Sequence, residues 1–187
     1  MKTVYFTVAA LSVVCSFCSA QELMVDCESR SQVRPTSVAY KDFVSHEIGK
    51  GRSGNAFRIV CPPERAKLKD KNARFQTQHP LKIVSASKPV LSRVYLKGKG
   101  KIWFGLVVSD RNRRVFWPAG LLKSFKVDSP DKWTSVELIY TPAAGSPYAN
   151  KAAYVLPYIN IGPGSEFLLD DWEVKFIDNN KEIVIEE

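Results

Sequence analysis

Apolar and polar residues alternate with a period of two along most of this 187-residue chain. Residues 134–140 (TSVELIY) alternate clearly, and residues 101–109 (KIWFGLVVS) are rich in aromatic and β-branched side chains. Both features are typical of β-strands that bury one face. No segment keeps the apolar period of 3.6 residues that an amphipathic helix would show. The chain is therefore predicted to be all-β.

Turn-forming residues separate the predicted strands. Pro, Gly, Ser, Asn and Asp cluster at residues 129–131, 142–147, 162–164 and 178–180. Short strands at such spacing predict a β-sandwich or barrel. The basic stretch 64–74 is predicted to be a loop rather than a short helix. Strands are predicted at residues 22–27, 55–61, 81–86, 90–96, 101–109, 114–117, 122–127, 134–140, 152–161, 167–176 and 182–185.

The first twenty residues have the layout of a signal peptide. Lys2 precedes an apolar stretch over residues 4–18, and Ser19 and Ala20 provide the small residues of a cleavage site. The apolar stretch is shorter than the roughly 20 residues that a membrane-spanning helix needs. We therefore expect a single domain over residues 21–187, secreted or periplasmic and without a membrane anchor.

Cleavage after residue 20 would leave two cysteines, Cys27 and Cys61. In an oxidising compartment they could form a disulfide, and they could equally be buried free thiols that pack as small apolar residues. Neither cysteine belongs to a CxxC pattern, so a zinc site or a thioredoxin-like redox site has no support.

Positive charge is concentrated in a few places. The formal net charge is +8, and basic residues cluster at 50–74, at 97–101 (KGKGK) and at 111–114. A basic surface attracts polyanions. For an exported protein, acidic glycans or anionic cell surfaces are more plausible partners than nucleic acid. The alternative is that these residues are solvated loops and strand edges protected by lysine.

Two adjacent acids interrupt the otherwise apolar and aromatic stretch 167–174 (FLLDDWEV). In a regular strand, Asp170 shares its face with Trp172, whereas Asp171 and Glu173 lie on the other face. Asp170 is then predicted to point inward, which is costly unless a cation or hydrogen-bond donors satisfy it. Because adjacent strand residues face opposite ways, the two acids cannot form a catalytic carboxylate pair by themselves.

Motifs for catalysis are absent from the sequence. His46 and His79 are the only histidines, and no GxSxG, HExxH, P-loop or GxGxxG pattern occurs. The chain is therefore expected not to be an enzyme, and a divergent hydrolase is the weakest alternative.

Aromatic residues are the more promising functional feature, because exported domains bind sugars largely by stacking them on Trp or Tyr rings. Trp133 and Trp172 are predicted to be core residues. The remaining candidates for a glycan-binding site combine stacking rings with nearby positive charge: Trp117, Trp103, Tyr95, Tyr148, Arg111, Arg113 and Arg114. Trp103 and Tyr95 are expected on neighbouring strands.

Several segments, taken in order, carry a resemblance to a known family. They are residues 26–28 (DCE), 53–59 (SGNAFRI) and 94–100 (VYLKGKG), then Trp133, and finally residues 169–172 (LDDW). Together they resemble the carbohydrate-binding-module jelly rolls of the galactose-binding-like superfamily. Cys27 and Trp172 depart from the family pattern, which has an aromatic residue and a smaller aliphatic residue at these positions.

The resemblance implies a jelly-roll β-sandwich and a structural calcium ion. Carried over to this chain, Glu28 with Asp170 or Asp171 would supply carboxylates, and backbone carbonyls near Lys50 and Ser53 would complete an oxygen-rich shell. The alternative is that Arg52 or Arg58 pairs with the acid and no metal binds. The resemblance carries over no specific glycan contact.

The leading hypothesis is an exported, non-catalytic, lectin-like β-sandwich that binds carbohydrate, with acidic or sulfated glycans as the expected class. The rival hypothesis is a cell-surface structural or protein-interaction domain with the same fold and no sugar site. The sequence indicates no oligomeric state.

Overall fold

The computed structural model describes residues 22–82, 88–140 and 151–177, except for the side chains of residues 116–121. These residues form ten antiparallel strands and two 3₁₀-helices, at Val38–Phe43 and Pro63–Lys67. The strands are β1 (Glu22–Val25), β2 (Val33–Pro35), β3 (Val44–Glu47), β4 (Ala56–Cys61), β5 (Ala73–Thr77), β6 (Leu81–Lys82), β7 (Val90–Ser109), β8 (Val115–Tyr140), β9 (Tyr154–Ile161) and β10 (Ser165–Phe176).

Strand β7 belongs to both layers of the fold. Its first half pairs with β10 and its second half, from Ile102, pairs with β9. The first layer has the order β3-β4-β10-β7, with β1 also on β10, and the second has the order β2-β5-β9-β7, with β6 also on β9. The long strand β8 follows β7 through both layers. This is a jelly-roll β-sandwich, so the predicted fold class is confirmed.

Two glycines allow β7 to pass from one layer to the other. Gly98 and Gly100 have φ angles of 147° and 139°. A Cβ at Gly98 would lie 2.1 Å from the Glu166 carbonyl oxygen, and a Cβ at Gly100 would lie 2.2 Å from Ser165 Oγ. Both the backbone conformation and the close approach of β10 therefore require glycine.

The core lies between the two layers. The Trp172 ring is fully buried, and its centroid lies 5.8 Å from that of Phe104. Its indole nitrogen donates a hydrogen bond to Ser92 Oγ at 3.3 Å. The core position predicted for Trp172 is thus confirmed, whereas Trp133 is only partly buried.

The strand boundaries differ from the predictions in three respects. The strands predicted at 90–96 and 101–109 are one strand, so Tyr95 and Trp103 lie on the same strand and not on neighbouring ones. The three predicted at 114–140 are also one strand. The short strands β2, β3 and β5 were not predicted, and the predicted strand 182–185 lies outside the described residues.

Asp170 is buried, as its predicted inward position requires, but it does not share a face with Trp172, because β10 is not a regular strand. Its pairing with β7 shifts between Asp170 and Glu173, and Asp171 has a φ of 45°. Leu169 is buried before this bulge, and Trp172 is buried after it. One extra residue reverses the alternation, which is what a β-bulge does.

Both cysteines are buried free thiols, which was the second of the two alternatives. Cys27 Sγ lies 3.5 Å from the Leu169 carbonyl oxygen, and Cys61 Sγ lies 3.3 Å from that of Lys71. Burial raises the pKa of both thiols, so they stay protonated at neutral pH. Within the described ranges, no helix has the length and apolar character needed to cross a membrane.

Candidate functional site

The outer face of the second layer gathers aromatic, amide and basic side chains. Ile102 and Phe104 of β7 point into the core, so the residues between and beside them point outward. In one cross-strand row, Trp103 lies opposite Asn160, which lies opposite Arg74. We call the outward residues of this layer the outer face: Arg34, Arg74, Gln76, Trp103, Gly105, Val107, Leu156, Tyr158 and Asn160.

A cleft of about 360 Å³ lies on this face. Val107 and Leu156 supply apolar lining, whereas its other lining residues are mostly polar or basic. None of the described residues that line it is acidic. The remaining lining residues are Arg34, Gln76, Gln78, His79, Pro80, Ser109, Arg113 and Val115. Such a concave surface, with apolar and convergent polar groups, is the usual form of a ligand site.

Trp103 is partly buried and lies on the same face as this cleft. The ammonium group of Lys101 lies 4.7 Å from the centroid of its ring, within the range of a cation–π contact. The next outward residue on the strand is Gly105, which has no side chain to cover the ring on the side toward the cleft. Beside Trp103, the buried oxygen Oδ1 of Asn160 has no hydrogen-bond partner. The pair therefore offers a stacking surface next to an unsatisfied acceptor.

Positive charge on the outer face is only partly neutralised. Arg34 donates two hydrogen bonds to the side-chain oxygen of Gln76, at 3.1 and 2.9 Å, and keeps its charge. Arg74 pairs with Asp70 at 2.6 Å. Burial raises the pKa of Tyr158 to about 12, so its hydroxyl adds no negative charge at neutral pH. The face is electropositive as a result.

Arg113 lies at the end of the cleft, in the turn that joins β7 to β8. Its guanidinium carbon is 3.9 Å from the centroid of the Tyr154 ring. The φ of Arg113 is 64°, in the left-handed region that favours glycine. Asp110 closes the turn, since its carbonyl accepts from the Arg113 amide at 3.1 Å and its carboxylate accepts from the Arg114 amide at 2.9 Å.

The other residues predicted for glycan binding do not line this cleft. Arg111 lines a separate depression of about 260 Å³, and Arg114 is exposed. Tyr95 lies on the first layer, where its ring is covered by Arg52. Tyr148 and the side chain of Trp117 lie outside the described residues. Of the predicted set, the structure places Trp103 on the outer face and Arg113 in the lining of its cleft.

Asp170 and Asp171 hold the loop between β3 and β4. The amide of Arg52 donates to Asp170 Oδ2 at 2.7 Å, and the guanidinium of Arg52 pairs with Asp171 at 2.7 Å. Arg58, the other arginine considered, pairs instead with Glu166 at 2.8 Å. Burial raises the pKa of Asp170, and hydrogen bonds from the Arg52 and Asp171 amides oppose that rise.

The residues predicted to bind calcium surround the same loop. Glu28 accepts two hydrogen bonds from Asn55, at 2.9 and 2.7 Å. A Cβ at Gly51 would lie 2.2 Å from the Asn55 carbonyl oxygen and 2.7 Å from Asp170 Oδ2, so glycine leaves room where two oxygens converge. Lys50 and Ser53, whose carbonyls were predicted ligands, are exposed.

Oxygen ligands in loose geometry suit calcium, so the chemistry of these donors fits the predicted ion. However, Glu28 and Asp170 already accept hydrogen bonds from protein donors. In the ranges that the structure describes, no three His, Cys, Asp or Glu side chains lie close enough together to hold a metal. Calcium therefore stays a prediction, with Asp170 as its main side-chain ligand.

No family model matches the sequence, and no curated protein matches it. Solved structures do match its fold. The CBM22-1–GH10 region of xylanase 10B from Clostridium thermocellum, complexed with xylohexaose, superposes over 88% of this chain at a TM-score of 0.60 and 10% identity. The chain spans only 30% of the length of that protein.

Two isolated modules match over nearly their whole length. The CBM22-1 xylan-binding domain of Paenibacillus barcinonensis Xyn10C covers 83% of this chain and is itself 94% covered, with a TM-score of 0.55 and 14% identity. The family 11 carbohydrate-binding module of a Clostridium thermocellum cellulosomal cellulase covers 87% and is 99% covered, with a TM-score of 0.51 and 15% identity. The chain therefore has the jelly-roll fold of the carbohydrate-binding modules.

Several cleft residues were missed by sequence reasoning. Arg34 and Gln76 come from β2 and β5, which are too short to stand out as strands. Leu156 and Asn160 belong to a strand that was predicted, but only the register with β7 shows which of its faces borders Trp103. For these two residues, the signal available in the sequence was the alternation of apolar and polar positions along β9.

Proposed function

We propose that this chain is a non-catalytic carbohydrate-binding domain that holds glycans on its outer face. The observation that carries the proposal is the outer face, which combines a stacking ring, Trp103, with a cleft lined by apolar and hydrogen-bonding side chains. Sugars need all three, because their C–H faces pack on aromatic rings while their hydroxyls seek polar partners. The fold shared with xylan-binding and other carbohydrate-binding modules supports the same conclusion.

The charge of the face favours an acidic or sulfated glycan over a neutral one. Arg34, Lys101 and Arg113 contact the face without a carboxylate partner among the described residues, and no described acid lines the cleft. A carboxylate or sulfate group on the glycan would supply the missing negative charge and would accept charge-assisted hydrogen bonds from arginine.

The same observation supports a binding role over hydrolysis. Glycoside hydrolysis ordinarily uses two carboxylates on opposite sides of the scissile bond. The described residues that line the cleft provide none. The domain is proposed to hold its glycan without cleaving it.

We place this activity outside the cytoplasm, in a secreted or periplasmic protein, on the strength of the signal-peptide pattern at residues 1–20. Calcium is proposed only as a structural ion at Asp170. This residue pairs with Tyr95 in the first layer, whereas the outer face belongs to the second layer. The glycan site would then need no metal.

A panel of immobilised polysaccharides tests the proposal. It should contain neutral xylan, glucuronoxylan, polygalacturonate and chondroitin sulfate, each probed at low salt and at about 1 M salt, where surface charge is screened. We expect acidic polymers to retain the protein at low salt, with weaker but measurable retention at high salt because stacking on Trp103 persists. Retention of no polymer would favour the structural or protein-interaction role instead. Retention that disappears completely in salt would indicate nonspecific ion exchange.

A further inference from the structure

We infer that Arg113 is the residue that selects an acidic group on the glycan, and that Tyr154 serves as its platform and not as a sugar-stacking ring. This inference rests on the proposed function. The guanidinium carbon of Arg113 lies 3.9 Å from the Tyr154 ring centroid, so it occupies the ring face that a sugar would need. Stacking on an aromatic ring leaves the planar N–H edges of a guanidinium free to bind a carboxylate or sulfate.

The charge of Arg113 has no paired carboxylate among the described residues, unlike the charges of four other arginines. Arg52, Arg58, Arg74 and Arg93 each pair with a carboxylate within 3.4 Å. Among the described residues, Arg113 has no such partner, and its side chain lines the cleft. An arginine that is held by an aromatic ring and has no carboxylate partner in the described parts of the chain is available to bind an anionic group of a ligand.

The backbone of Arg113 is held in a conformation that non-glycine residues rarely adopt. Because the φ of Arg113 is 64°, glycine could replace this residue at no steric cost. The turn is fixed by the two hydrogen bonds that Asp110 accepts from the Arg113 and Arg114 amides, and by the bond from the Asp110 amide to the Arg114 carbonyl at 3.0 Å. Strain of this kind that persists in a well-defined turn indicates that the side chain, and not the backbone, is what the position requires.

The two ends of the outer face recognise different parts of the ligand. Tyr154 pairs with Ser109, and Ser109 lies six residues along β7 from Trp103. At about 3.3 Å per residue, the stacking ring and the arginine platform are roughly 20 Å apart. The glycan must therefore be an oligomer that reaches from Trp103 to Arg113, with an acidic group at the Arg113 end.

The test compares Arg113→Gly with Arg111→Gly in the full chain. Both variants remove one positive charge from the same turn, but the Arg111 side chain lies outside the cleft. The probes are glucuronoxylan, polygalacturonate and chondroitin sulfate, together with their carboxyl-reduced or desulfated forms, in affinity electrophoresis. Arg113→Gly should weaken binding of the acidic form by about 10- to 100-fold, the usual loss for a hydrogen bond to a charged group, whereas Arg111→Gly should change it by less than about threefold.

The neutralised forms distinguish the source of the acidic group. If desulfation abolishes the difference between Arg113→Gly and the wild-type protein, Arg113 binds sulfate, and if carboxyl reduction abolishes it, Arg113 binds a uronate. Equal losses in Arg113→Gly and Arg111→Gly would overturn the inference while leaving the proposed function intact. A wild-type protein that binds none of the probes would overturn the proposed function itself. Because glycine suits the turn, the melting temperature of Arg113→Gly should equal or exceed that of the wild-type protein, which excludes misfolding as the cause.

Discussion

The guanidinium of Arg52 pairs with Asp171 at 2.7 Å, joining residues that are 119 positions apart in the sequence. The same guanidinium lies 3.6 Å from the centroid of the Tyr95 ring, and the Arg52 amide donates to Asp170. One residue thus fastens the loop between β3 and β4 to the bulge of β10 and to the surface of β7. This arrangement gives Tyr95 and the two acids a structural role, away from the cleft.

Arg52→Ala should therefore lower the free energy of unfolding without affecting glycan binding. The variant loses a partly exposed ion pair and a cation–π contact, which together contribute about 1–2 kcal/mol. Arg58→Ala is the matched control, since it loses only the more exposed pair with Glu166 and should cost about 0.5 kcal/mol. Urea denaturation of both variants measures the difference, and equal costs would contradict the role assigned to Arg52.

The two glycines of this loop should differ in their tolerance of alanine. At Gly51 a Cβ would meet the backbone oxygen of Asn55 at 2.2 Å, whereas at Gly54 it would meet the end of the flexible Glu28 side chain at 2.0 Å. Because backbone cannot move aside as easily, Gly51→Ala should cost about 2–3 kcal/mol and Gly54→Ala about 1 kcal/mol. Thermal or urea unfolding gives the order, and the reverse order would show that the loop is not packed as described.

Protonation of Glu173 should make the protein less stable at acidic pH. Glu173 is buried between Arg93, at 2.6 Å, and Lys175. Burial raises its pKa, but the hydrogen bonds from Lys175 and Arg93 outweigh that effect, and the net pKa is lowered. Since the folded pKa lies below the unfolded value of about 4.3, the stabilisation is present above that pH and is lost as the pH falls through the folded pKa.

Glu173→Gln isolates this contribution. At pH 7 the variant should be less stable by about 1–3 kcal/mol, because Lys175 and Arg93 lose a charged acceptor and Arg93 keeps only its longer pair with Glu137. The difference from the wild-type protein should shrink as the pH is lowered from 5 toward 3. A difference that stays constant over this range would mean that Glu173 does not titrate as described. The raised pKa of Asp170 has the opposite pH dependence and cancels in the comparison, since both proteins contain it.

The calcium prediction has a direct thermal test. An ion bound only by the folded state raises the free energy of unfolding by mass action, and the melting temperature rises with it. At a hundredfold excess of the ion over its dissociation constant, the gain in free energy is about 2.7 kcal/mol. Added calcium should therefore stabilise the wild-type protein, chelator should destabilise it, and Asp170→Asn should respond to neither. Identical melting curves with calcium and with chelator would contradict the calcium prediction and favour the Arg52 contacts as what ties the loop to β10.

The sequence was sufficient for the fold because strand alternation and turn residues depend on local composition. It was insufficient at β10, where the residues FLLDDWEV suit a regular strand equally well. The bulge that reverses the alternation at Asp171 follows from pairing with β7 and from the loop that covers Asp170, and both are contacts between distant parts of the chain. Asp170 was rightly expected to need donors, since it is buried and accepts a hydrogen bond from the Arg52 amide of that loop.

The candidate site was predictable only in part, for a similar reason. Trp103 and Arg113 were identified from their residue types, whereas Arg34, Gln76 and Asn160 required knowledge of which strands are adjacent. Tyr95 was chosen because it is an aromatic residue that was expected on a strand neighbouring that of Trp103. The glycines at which β7 changes layer lie between the two residues, so the two rings belong to different layers. Residue type alone does not show this change of layer.

The most direct test of the central claim is isothermal titration calorimetry of three proteins with the acidic polysaccharide that the wild-type protein retains most strongly. Trp103→Ala removes the stacking ring, and Trp133→Ala removes a partly buried tryptophan that is not among the residues of the outer face. We predict that Trp103→Ala weakens binding at least tenfold, as expected for loss of a buried aromatic anchor, and that Trp133→Ala binds like the wild-type protein. Equal affinities for Trp103→Ala and wild type, with both proteins folded, would contradict a glycan site on the outer face.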